Sequence, residues 1–110
     1  MFSHVTLDSN DIVRAIAFYD QALAPLGLKR QESDMAKGYA GYAAAPEVTP
    51  QFWVLRPIDG RSASVGNGVT VAFEASDRAT VDAVHAAALA SGGTDEGGPG
   101  LRAHYHADYY

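Results

Sequence analysis

The chain begins the same fold unit twice. His4-Val5-Thr6-Leu7 is followed by Asp11, by Ala22 and Leu23, and then by Gly27. From position 70 the series returns without a gap, as Thr70-Val71-Ala72-Phe73, then Asp77, Ala88, Leu89 and Gly93. Such a repeat constrains the architecture more than any other feature, because each copy is one supersecondary unit that must bury its apolar face against a neighbour. The copies diverge after their glycines. Residues 28–56 follow the first and have room for three further strands, whereas residues 94–110 follow the second.

Within the first copy, residues 2–8 alternate as a strand, with Ser3, Val5 and Leu7 on one face and His4, Thr6 and Asp8 on the other. Ser9 or Asn10 is the expected cap of a helix whose stripe is Ile12, Ile16, Tyr19 and Leu23. Pro25 and Gly27 stop that helix. Residues 28–33, 38–44 and 51–56 read as three more strands, with turns at Asp34 and Pro46. The second copy reads as a strand over 68–75 and a helix over 77–91, capped by Ser76 and stopped by Gly92-Gly93. Residues 103–110 read as extended. The expected fold class is therefore α+β. Tandem βαβββ modules form a curved mixed sheet with helices on its outer face, and the second module is incomplete at its C-terminus. All 110 residues form one domain. Residues 1–56 are the first module, 57–67 a connector, and 68–110 the truncated second module.

Charge and cysteine usage exclude several classes. The net charge is −5, and the eight Lys and Arg are scattered rather than striped, so no nucleic-acid surface is expected. There is no cysteine, hence no disulfide or thiolate chemistry, which fits a reducing compartment. No apolar run approaches the roughly 20 residues that span a bilayer, and no signal peptide is evident, so a cytoplasmic protein is expected.

The motifs Ser3-His4-Val5-Thr6-Leu7, Ala17-Phe18-Tyr19-Asp20 and Leu23-Ala24-Pro25-Leu26-Gly27, with Gly68-Val69-Thr70-Val71-Ala72-Phe73 and Ala87-Ala88-Leu89-Ala90-Ser91-Gly92-Gly93, resemble the vicinal oxygen chelate superfamily. This superfamily includes glyoxalase I, extradiol dioxygenases and bleomycin-resistance proteins. The resemblance covers nearly the whole chain. It implies paired βαβββ modules around a divalent metal (Zn, Ni, Mn or Fe) that chelates two adjacent substrate oxygens as a Lewis acid. Carried over position by position, the resemblance implies His4 as the ligand on the first strand. The ligand on the fourth strand falls near Trp53, with Gln51 beside it, and the first-strand ligand of the second module falls at Thr70. Indole and a neutral hydroxyl are poor substitutes for carboxylate and imidazole.

The expected pocket wall comprises Thr6, Gln51, Trp53, Thr70, Tyr105 and Tyr109. Asp8 and Glu74 are candidate general bases on the polar face. His104, His106 and Asp108 would point the same way from an extended strand and form an alternative metal set. His85, Lys29, Arg30, Arg56 and Arg61 read as solvated charges. The leading expectation is a protein of the glyoxalase, bleomycin-resistance and dioxygenase kind that binds a small oxygen-rich molecule on the concave sheet, its metal site largely degraded. The alternative is an active metal-dependent lyase, isomerase or dioxygenase whose site is completed by a second chain or by residues beyond Tyr110. An unpaired sheet edge in the second module makes a homodimer the expected assembly.

Overall fold

The computed structural model describes residues 1–110. The first copy folds into one layer of sheet under one helix. Strand β1 (Val5–Asp8) leads to helix α1 (Ile12–Ala22) and a single 3-10 turn (Ala24–Leu26), then to β2 (Lys29–Asp34), β3 (Tyr39–Ala43) and β4 (Phe52–Leu55). The sheet order is β1-β4-β3-β2. β1 runs parallel to β4, while β3 is antiparallel to both β4 and β2. The helical stripe does what its spacing requires. Ile12, Ile16 and Leu23 are buried against Ala40, Tyr42, Phe52 and Val54 of the two central strands. The ring of Tyr19 meets that of Phe52 edge-on, with centroids 5.1 Å apart.

The caps differ from expectation by one residue. In α1 the cap is Asp11, whose Oδ1 accepts the Arg14 N–H at 3.0 Å. Asn10 is diverted elsewhere: its amide clasps Ala63. In the second helix, α2 (Arg78–Ala90), the cap is Asp77, not Ser76. Its Oδ1 accepts the Thr80 N–H at 2.7 Å, which holds the carboxyl below its usual range. Gly27, at φ 75°, ends the 3-10 turn in a left-handed conformation that suits glycine.

The second copy departs further. No strand forms over 68–75, and all four strands of the sheet come from the first copy. A strand needs a ladder partner, and residues 70–75 make no backbone hydrogen bond to any strand. It is held by side chains instead. Val71 packs against the first-copy core, and the Phe73 ring lies 5.1 Å from that of Phe52. Helix α2 packs on α1 and on the 3-10 turn, yet buries none of its residues fully. Residues 103–110 are likewise not extended. The Tyr105 and His106 N–H groups both turn back to the Arg102 carbonyl, and the Arg102 N–H closes the loop on Tyr109. The tail ends against α2, where the Tyr110 hydroxyl donates to Asp82 at 2.9 Å and Arg78 covers the Tyr110 ring.

One polar contact ties helix to sheet through the core. Tyr42 is 1% exposed, and its hydroxyl donates to Asp20 of α1 at 2.9 Å. Arg30 of β2 grips the same carboxylate through Nε and Nη2, at 3.2 and 3.1 Å. Burial, then the hydrogen bond to Asp20 and the charge of that carboxylate, push the Tyr42 hydroxyl far above its ordinary value of 10.0. Tyr42→Phe is therefore expected to lower unfolding free energy by about 1–2 kcal/mol in urea titrations at neutral pH. The unfolded chain loses this proton first, so wild-type stability falls as pH rises above the ordinary tyrosine range. That part of the alkaline loss should be absent in Tyr42→Phe.

Candidate binding face of the sheet

The sheet has a second face that α1 leaves open, and pairing register decides which side chains meet there. Thr6 stands beside Trp53, Trp53 beside Gly41, and Gly41 beside Glu32, in one row across all four strands. The next row is Asp8, Leu55, Tyr39 and Asp34. A register shift between Arg30 and Glu32 lets β2 serve both faces. It sends Arg30 to the helix side, where it reaches Asp20, and Glu32 to the open side.

Trp53 dominates this face. Its ring lies over Gly41 so closely that a Cβ at that position would sit 2.6–2.8 Å from three ring atoms. Only glycine leaves room there for the flat indole. The indole N–H donates to the Pro50 carbonyl at 3.0 Å, which fixes the rotation of the ring. Tyr39 flanks it, with centroids 6.3 Å apart. Together they line a groove of ≈ 500 Å³ bounded by Glu32, Lys37, Arg56 and Ile58. The stem of Arg56 covers Gly38, and its Nη1 donates to the Ala36 carbonyl at 3.0 Å.

The open face gathers several of the residues expected from sequence. Thr6, Asp8 and Trp53 share it through their register. Gln51, one alternation before Trp53, is exposed, and its carbonyl accepts the Val5 N–H at 2.8 Å. His4 is exposed at the start of β1, its Nδ1 2.8 Å from the Ser3 hydroxyl. The other expected residues lie elsewhere. Thr70 is exposed on the unpaired segment. Glu74 borders a cavity with Pro25, Leu26 and Thr80 rather than facing Asp8. Tyr105 packs at a tilt against Tyr109 and His104 within the C-terminal loop, and Tyr109 lines a cavity with Val81 and His85 of α2. That loop is turned, so His104, His106 and Asp108 lose the alternation that would have aligned them. The Asp108 N–H bonds to the His106 ring nitrogen at 3.2 Å.

No three His, Cys, Asp or Glu side chains converge into a group able to hold a metal ion. His4 belongs to no such group, and an indole stands near the fourth-strand position where the resemblance implies a carboxylate. The residues of one chain therefore do not fit the divalent metal that the resemblance implies. What the face offers is a flat aromatic floor with polar and cationic groups at its rim, an arrangement suited to binding a small planar molecule. Sequence reading missed Tyr39, Lys37 and Arg56. The signal for Tyr39 was present in its alternation with Gly41 along β3, whereas Lys37 and Arg56 come from a turn and a strand end that only the fold brings together.

No protein-family model matches the chain, and no curated protein matches it. Among solved structures, it is similar to a glyoxalase/bleomycin resistance protein from Albidiferax ferrireducens T118, with 38% identity and a TM-score of 0.81. The match covers 93% of this chain and 79% of that one. No helix is long and apolar enough to cross a membrane.

Proposed function

Because the chain belongs to the glyoxalase/bleomycin resistance proteins, we propose that it binds a small planar molecule on the open face of its sheet, with Trp53 as the floor of the site. The observation that carries this reading is the fixed indole over Gly41 in a groove flanked by Tyr39. A ring already held by its N–H bond loses little freedom when a ligand stacks on it. Thr6 and Gln51 supply hydrogen-bonding groups on the same face, and Lys37 and Arg56 supply positive charge at the rim. On this reading binding needs no metal, and the chain sequesters its ligand rather than transforming it.

The runner-up is a metal-dependent lyase, isomerase or dioxygenase that borrows ligands from a second chain. What favours it is position: β1, which carries Asp8 and follows His4, is an edge strand. The same edge supports a homodimer. β1 has a free side, and residues 69–75 form no ladder, so two unpaired stretches of backbone stand ready to pair with another copy.

Calorimetric titration with 2-naphthalenemethanol, a neutral planar probe, tests the binding reading. Trp53→Leu is expected to weaken binding about tenfold, the loss expected for an aromatic stacking partner and its buried area. Equal affinity in the two proteins would overturn the reading. Elemental analysis of the same preparations separates the two functions. Stoichiometric Zn, Ni, Mn or Fe in the wild type that disappears in His4→Ala would overturn the metal-free reading in favour of the alternative, and its absence from both is the expected result. Sedimentation at micromolar concentration is expected to show a dimer, and a monomer alone would refute the pairing.

A further inference from the structure

Beyond the aromatic groove, Arg56 also borders a second cavity of ≈ 530 Å³ at the end of β1 and β4. Its other polar lining groups are Ser9, Asn10, Arg61 and Ser62, with no carboxylate among the lining residues. In a chain of net charge −5, this is a local excess of positive charge. The two guanidinium groups also keep most of their donors unspent. Arg61 makes no side-chain hydrogen bond and no ion pair within the chain, and neither arginine lies within 4.0 Å of a carboxylate oxygen. Arg56 commits one N–H, to Ala36, and has the rest of its five donors to offer.

The loop that carries Arg61 is built rather than loose. Asn10 accepts the Ala63 N–H at 2.7 Å and donates to the Ala63 carbonyl at 3.3 Å, which staples the loop to the start of α1. The Gly60 N–H turns back to Pro57, and the Arg61 N–H donates to Asp59 Oδ1 at 2.9 Å. That bond occupies one oxygen of the nearest acidic side chain in sequence. Arg56 is held from the other side by its stem over Gly38. The Arg56 fork is thus held in place, the backbone that carries Arg61 is fixed, and planar guanidinium groups with unspent donors suit an oxyanion.

We propose that Arg56 and Arg61 form an oxyanion subsite, and that the ligand is a planar acid. Its ring lies on Trp53, and its carboxylate, sulfonate or phosphate lies between the two arginines. Arg56 borders both cavities and is the hinge of the assignment. The oxyanion subsite stands on its own geometry, while the planar-acid class rests on the groove reading above.

Two arms test these parts separately. In the first, inorganic phosphate is titrated by calorimetry at constant ionic strength into wild type and Arg61→Gln. The side chain of Arg61 has no partner in the fold, so the variant should fold normally, checked by its far-ultraviolet circular dichroism. Phosphate affinity is expected to fall about tenfold in Arg61→Gln, with Arg61→Lys between the two. Equal affinity in wild type and Arg61→Gln would overturn the subsite whatever the groove does. In the second arm, emission from Trp53, the single tryptophan of the chain, follows 2-naphthoate against 2-naphthalenemethanol. The acid is expected to bind about tenfold more tightly in wild type, and Arg61→Gln to abolish that preference while leaving the alcohol unchanged. If the alcohol binds but the acid gains nothing, the planar-acid class is wrong and the groove stands. If neither probe binds while phosphate still depends on Arg61, the groove reading fails and the oxyanion subsite survives it.

Discussion

The packing of α1 across the two central strands is the contact on which the rest depends. Tyr19, Tyr42 and Phe52 meet there as tilted and edge-on rings, between Ile12 and Ile16 on the helix and Val54 on the sheet. Burial of these side chains holds α1 on the sheet. It also makes the binding face available. Once the helix takes one side of β3 and β4, the alternate residues of both strands must point the other way. Trp53 and Gly41 are therefore neighbours on the open face for the same reason that Phe52 and Tyr42 are neighbours in the core.

The second copy shows what happens when the same pattern lacks that contact. Its helix forms, capped by Asp77, because capping and spacing are local. It has no sheet beneath it and fully buries nothing. Its strand pattern, through Val71 and Phe73, is used to extend the core of the first copy rather than to make a ladder. Val71 and Phe73 thus keep their period while the backbone goes unpaired. This conflict between local pattern and available partner is the physical basis for expecting another chain at that edge.

Most of the first copy was legible in the sequence. The four strands, α1 and the stop at Gly27 follow from alternation, the helical stripe and a left-handed glycine, all of which are local signals. Trp53, Thr6, Gln51 and Asp8 were assignable to one face by parity alone. The rest required contacts distant in sequence. Whether 68–75 pairs depends on a neighbour, which no period reveals. Residues 103–110 alternate plausibly, but the turn closed on Arg102 outcompetes extension. Arg56 and Arg61 read as scattered charges because the clasp between Asn10 and Ala63, which organises their loop, joins the start of α1 to the connector, 53 residues away in sequence. Asn10 was itself misread as a helix cap for the same reason.

The central claim is that the first copy is the cooperative core and the second copy leans on it. Amide hydrogen exchange, measured residue by residue in dilute protein, tests this most directly. The slowest amides should lie in α1, β3 and β4, exchanging only through global unfolding, with α2 and residues 69–75 opening at distinctly lower free energy. Amides of α2 that exchange as slowly as those of Phe52–Leu55 would contradict the account.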